Sequence, residues 1–129
     1  MTKKKKTLAK LKQEAQKVFN AYIRKRDEGK PCISCGQFKP LQAGHYYPVS
    51  THDGLRYEED NVHGECAYCN CFNEGHLIGY THKLYNKIGQ ERFDRINRLA
   101  SEYKKKGYKF SRSELEELIK EYKLKLKEL

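Results

Sequence analysis

Between Leu8 and Arg26 the apolar residues Leu8, Leu11, Ala15, Val18, Phe19, Tyr22 and Ile23 recur every three or four positions, with lysines between them. That period gathers them into one stripe on a helix, and Gly29 and Pro31 predict its end. The stretch 31–65 has no such period. It is dense in Gly, Pro, His and Asp, which predicts a knuckle, short strands and a loop. Two strands are expected, Gln42–Tyr47 and Leu55–Tyr57, joined through Pro48 and the turn signal Asp53-Gly54. Helical signals return near Ala67 and over Thr81–Ile88, stopping at Gly89. Phe93, Ile96, Leu99, Ala100 and Tyr103 then mark a helix closed by the Lys104–Gly107 run. The last helix has two competing starts, Ser111 with Glu114 and Ser113 with Glu116, each fitting a capping box. Its stripe is Leu115, Leu118, Ile119, Tyr122 and Leu126. These stripes read as core or partner-helix contacts.

The expected fold is α+β and mainly helical, a small two-strand metal centre between N- and C-terminal amphipathic helices. One domain over 1–129 accommodates it, as a basic N-terminal helix (1–30), a stapled core (31–80) and basic C-terminal helices (81–129). Only 37% of the 129 residues are hydrophobic and mean hydropathy is −0.99, so apolar burial alone is thin and a staple is needed. No apolar run is long enough to span a membrane. MTKKKK leads into a lysine-rich stretch with no apolar segment of a secretory signal, so an intracellular location is expected.

The net charge of +10 points to a polyanionic partner. Residues 1–30 hold eleven Lys/Arg against three acids, 31–80 two against six, and 81–129 fourteen against eight. Basic arms thus flank an acidic, His- and Cys-rich middle. A nuclease needs such a middle to hold cations and such flanks to hold phosphate; a solvated basic helix on each side is the plain alternative. Lys3, Lys4, Lys5 and Lys6, with Arg92, Arg95, Arg98, Lys104, Lys105 and Lys106, are candidate phosphate contacts, which set affinity without reading sequence.

Cys32-Ile-Ser-Cys35 and Cys66-Ala-Tyr-Cys69 are two CxxC knuckles. In a reducing compartment two such pairs predict one tetrahedral zinc. With Cys32, Cys35, Cys66 and Cys69 filling every position, no ligand site stays open for water, so the ion is structural. A redox pair is the alternative, and neither knuckle sits on a visible βαβ unit. Cys71 is left over.

Inside and just after this staple lie His45, Asn61, His63, Asn70, Glu74 and His76, the strings around them being PCISCG, QAGHYYPV, LRYEEDNVHGECAYCN and GYTHKLYNKIGQE. The order resembles the HNH, or ββα-metal, nucleases with endonuclease VII-like zinc knuckles. Closer still, over roughly residues 8–100, it resembles the NinG/Rap recombination nuclease family of lambdoid phages. The resemblance implies a ββα-metal core and cutting of branched DNA, Holliday junctions and D-loops, in the host cytoplasm if the chain is phage-encoded. It also implies products with 5′-phosphate and 3′-hydroxyl ends.

Phosphodiester hydrolysis needs a water, a base to activate it and a cation beside the leaving oxygen. His45 can take the proton. Asn61 cannot titrate and is expected to fix the strand or the imidazole. Asn70 offers a carbonyl oxygen suited to Mg²⁺ or Mn²⁺, and Glu74, one helical turn on, can reach the same ion. Many HNH enzymes carry an Asp or His just before the base; here Gly44 stands there, so the missing ligand must come from His63, Glu74 or His76. His63 can equally be a structural histidine under the zinc. Two other classes fit the sequence: a non-catalytic zinc-stapled nucleic-acid-binding module, and a zinc adaptor whose stripes over 91–129 dock a protein. A homodimer would suit symmetric cutting of two strands, with the C-terminal stripe as interface.

Overall fold

The computed structural model describes residues 5–72 and 76–129, the side chains of Lys105 and Lys106 excepted. Helix α1 spans Leu8–Arg26, with the Thr7 side chain accepting from the Lys10 amide at its start. Strand β1 is Leu41–His45 and strand β2 is Val62–Cys66. Between them the chain makes two single 3₁₀ turns, Asp53–Leu55 and Glu59–Asn61. Then come α2 (Ala67–Cys71), α3 (His76–Lys106) and α4 (Arg112–Glu128). Helix α3 is broken at Gly89, whose φ of 83° is a left-handed conformation glycine adopts without a Cβ clash.

The two strands pair antiparallel with Leu41 opposite Cys66, Gln42 opposite Glu65 and Gly44 opposite His63. The second strand is a correction. Leu55–Tyr57 was expected to be extended, but Leu55 closes a 3₁₀ turn and is fully buried against Ile96 and Ala100. The true second strand has no polar-apolar alternation because all five of its residues are buried. Helix α1 covers one sheet face and α3 the other. Ala43 and Val62 join Phe19, Ile23, Leu115, Ile119 and Tyr122 in the α1–α4 core. On the opposite face the Tyr80 hydroxyl donates to the Gly44 carbonyl at 2.6 Å.

Among the described residues, four small clusters make up the core. Besides the α1–α4 cluster and the one around Leu55, Ile33 packs with Tyr80, Leu84 and Ile88, and Leu41 packs on Cys32, Cys66 and Cys69. The C-terminal stripe, expected as core or partner-helix contacts and as an interface should the chain dimerise, packs on α1 within the chain: Leu115, Ile119 and Tyr122 are all buried there. Of the two possible starts of α4, the chain uses Ser111, whose side chain accepts from the Glu114 amide while Glu114 accepts from the Ser111 amide.

Candidate metal staple and histidine site

The two knuckles meet because β2 runs directly into the second and its Gly64 carbonyl accepts from the Ile33 amide of the first, at 3.0 Å. Ligand atoms of Cys32, Cys35, Cys66 and Cys69 all lie within 4.8 Å of one another, and the Cys35 and Cys66 sulfurs are 3.9 Å apart. A tetrahedral zinc with bonds of about 2.3 Å sets its sulfurs about 3.8 Å apart, so the group fits a metal such as zinc with little movement. Cys32 Sγ accepts from the amides of Ser34, Cys35 and Cys66 at 3.3–3.5 Å. Burial pushes the Cys32 thiol up, but these amides outweigh it and bring the thiol down to about 7, favouring the thiolate a metal needs. Cys71 is exposed and reaches Gln42 Oε1 at 3.7 Å.

His45 ends β1. Its Nε2 donates to the Arg56 carbonyl at 3.0 Å, which leaves Nδ1 as the nitrogen with a lone pair. Burial lowers its pKa, and the Arg56 charge adds to this against the opposing Arg56 carbonyl bond. The neutral imidazole is therefore favoured. Asn61 is fully buried: its Oδ1 accepts from the Tyr47 amide at 2.8 Å, and its Nδ2 donates to the Tyr47 and Leu55 carbonyls at 3.1 and 3.2 Å. It thereby ties the residue after Gly44-His45-Tyr46 to the residue before Arg56, and so holds the carbonyl that orients His45.

The remaining candidates separate by environment. His63 has both ring nitrogens engaged, Nε2 by the Asp60 carbonyl at 2.9 Å and Nδ1 by Arg26 Nη2 at 3.2 Å. As placed, it offers a cation no nitrogen. Burial, with Lys87 and Arg26 adding to it, pulls its pKa down to about 3. Asn70 is exposed on α2 and donates to Gln42 Oε1 at 2.8 Å. His76 opens α3 with Nδ1 2.7 Å from Glu65 Oε2. Glu74, Lys3 and Lys4 lie outside the described residues, as do the side chains of Lys105 and Lys106.

Three of the expected phosphate contacts are already paired. Arg92 bonds to Asp60, with its Nε at 3.0 Å, and Arg95 reaches Glu58 at 3.3 Å. Arg98, Lys104 and Lys5 are exposed, and Lys6 pairs with Glu14 at 2.6 Å. The sequence reading missed a groove of about 630 Å³ between the end of α1 and the segment leading into β1, lined by Arg24, Lys25, Lys30 and Lys39 with the exposed ring of Phe38. Arg24 and Lys25 come from the end of α1 and Lys30 and Lys39 from the segment that follows it, with Glu28 among them.

Also missed were Glu65 and Asp27. Asp27 reads as a helix cap, but its buried carboxylate gathers Arg26 at 2.9 Å, the Gly64 amide at 2.8 Å and Lys87 at 3.0 Å. Burial pushes Asp27 up, yet these partners hold it well below the usual carboxylate range. Burial in turn brings Lys87 down to about 8.

The class this defines is a mainly helical α+β protein whose two-stranded sheet ends on a cluster of four cysteines that could bind a metal such as zinc, with a neutral histidine at the end of its first strand. The chain belongs to the NinG family: the family model described as Bacteriophage Lambda NinG protein matches residues 1–129. Among curated proteins, it is 38% identical over 118 residues to Protein ninG of Escherichia phage 933W, covering 90% of this chain and 56% of that one. Protein ninG of Escherichia phage lambda is 38% identical over 118 residues, with 90% and 55% covered. For Salmonella phage P22 the identity is 37%, with 90% and 56% covered. The chain thus spans about half the length of the curated relatives it matches. No solved structure matches it. Among the described residues no helix is long and apolar enough to cross a membrane.

Proposed function

We propose that this chain is an HNH-type, metal-dependent endonuclease that cuts branched DNA in phage recombination. The observation that carries the reading is His45: a neutral imidazole at the end of β1, with Nε2 anchored to a backbone carbonyl and Nδ1 left to take a proton. Further support comes from the element order. Strand β1, a loop tied down by Asn61, strand β2 and then α2 bearing Asn70 follow the ββα-metal succession.

In the proposed mechanism His45 Nδ1 accepts the proton of the attacking water. Asn61 keeps the imidazole aimed by fixing the loop that presents the Arg56 carbonyl. Asn70 and His76, with Glu74, are the residues that would hold Mg²⁺ or Mn²⁺; when bound, the ion stabilises charge on the phosphate and on the leaving 3′ oxygen. Cys32, Cys35, Cys66 and Cys69 would hold zinc with four thiolates and so give it a structural role, tying the two knuckles together. Exposed Arg98 and Lys104, and the cationic groove beside Phe38, provide phosphate contacts on the flanks.

A second reading, a non-catalytic zinc-stapled nucleic-acid module, is favoured by Gly44, which has no side chain where many such nucleases carry a metal ligand. One comparison separates the two. Zinc-loaded wild type and His45→Ala are assayed on a four-way junction, a D-loop and linear duplex with Mg²⁺ or Mn²⁺. The nuclease reading expects the wild type to cut branched DNA and the variant to bind it without cutting. Cutting by the variant at the wild-type rate would sink the role of His45. Binding without cutting by both proteins would favour the module.

A further inference from the structure

Glu65 is fully buried on β2, directly opposite Gln42 and diagonal to Gly44. One of its oxygens, Oε2, is bonded to Ser34 Oγ and lies 2.7 Å from His76 Nδ1. The other, Oε1, has no hydrogen-bond partner among the described residues. A carboxylate oxygen removed from water without a donor is costly, and proteins retain such a group where something else meets it. The Oε1 atom is aimed at Gly44: a Cβ built there would overlap it and come within 2.7 Å of Glu65 Cβ. The space that a side chain at position 44 would fill is thus occupied by a carboxylate from the neighbouring strand.

We propose that Glu65 and His76 form a binding site for a hard divalent cation beside Gly44, with the Glu65 carboxylate supplying the ligand that position 44 lacks. Adjacent donors of an octahedral ion with bonds of about 2.1 Å stand about 3 Å apart. The 2.7 Å between Glu65 Oε2 and His76 Nδ1 is close to that spacing. Asn70 lies on the same face, held by Gln42, the cross-strand partner of Glu65. His63, the other histidine of this face, is excluded by its two engaged nitrogens. The role of this ion in cutting rests on the proposed nuclease function; its binding does not.

The test uses the full chain with one zinc per chain confirmed by elemental analysis, titrated with Mn²⁺ while free Mn²⁺ is followed by electron paramagnetic resonance. Wild type is expected to bind one Mn²⁺, and Glu65→Gln and His76→Ala to weaken it at least tenfold. His76 is partly exposed at a helix start, so His76→Ala decides the matter if Glu65→Gln does not fold. Combining Gly44→Asp with Glu65→Ala is expected to restore Mn²⁺ binding relative to Glu65→Ala alone, because the carboxylate returns from the other strand. No Mn²⁺ bound by wild type, or wild-type binding by folded His76→Ala and Glu65→Gln, overturns the site. Mn²⁺ bound as expected with no cutting of a four-way junction leaves the site standing and removes the nuclease reading. Cutting at the wild-type rate by Glu65→Gln leaves the nuclease and removes this site from it.

Discussion

At the scale of single residues, burial decides which side chains are chemically available. Of the five histidines, His45 and His63 both lose affinity for protons on burial, but His45 keeps one nitrogen open and His63 keeps none. The difference is not read from the local sequence alone: one partner of His63, the Asp60 carbonyl, is three residues away, but the other, Arg26, comes from the end of α1. The depressed pKa of His63 has a consequence for stability. The unfolded chain takes up its proton near pH 6.5, while the folded chain resists it down to about 3. Between those values the unfolded state holds more protons, so stability is complete above about pH 6.5 and falls as pH drops, by up to about 1.4 kcal/mol per pH unit. Denaturant midpoints at pH 7.5 and 5.5, with zinc content checked, are expected to fall further for wild type than for His63→Gln. Equal falls would assign the acid sensitivity to other groups. Asp27, held below the usual carboxylate range, adds a second loss only below about pH 4.

At the scale of elements, the helices were legible and the second strand was not. Helix α1 runs over Leu8–Arg26, where its stripe predicts it, because one apolar period meets a cap at one end and a Gly-Pro stop at the other. Strand β2 escaped because Val-His-Gly-Glu-Cys has neither alternation nor β-branched density beyond one valine. It is extended because both faces are covered and its residues pair with β1. The start of α4 was a choice between two boxes, and only the packed structure selects Ser111. Ser111→Ala is expected to cost about 1 kcal/mol by chemical denaturation, and Ser113→Ala close to nothing; the reverse order would place the helix start at Ser113. The approach of α3 to the first knuckle is equally specific. A Cβ on Gly79 would overlap the Ser34 carbonyl, so Gly79→Ala should cost roughly 1–3 kcal/mol. A Gly79→Ala protein with unchanged denaturation midpoint would show that the knuckle gives way freely.

At the scale of the whole molecule, four small hydrophobic clusters among the described residues surround a sheet of two strands, and the cysteine group joins the first knuckle to the second. Two strands alone are marginal in water, so the metal is expected to hold the centre together while the α1–α4 pair depends less on it. Stripping zinc with a thiol-reactive agent and chelator should lower the thermal midpoint by roughly 10 °C or more, as for a loss of a few kcal/mol. Near-ultraviolet dichroism of the tyrosines around Tyr46 and Tyr80 should collapse, with much helical signal retained. An unchanged midpoint would make the staple dispensable. Much of this molecule follows from sequence alone. Periodicity and caps determine its helices, CxxC spacing marks the cysteines that could hold a metal, and charge segregation determines its basic flanks, because each helix, knuckle and flank depends on residues close together along the chain. Tertiary structure alone decides that His63 is closed and His45 open. It also decides that the C-terminal stripe is spent on α1, and that Glu65 reaches across a strand to fill the space at Gly44. Each of those outcomes depends on which distant groups burial brings together, and no local pattern encodes that.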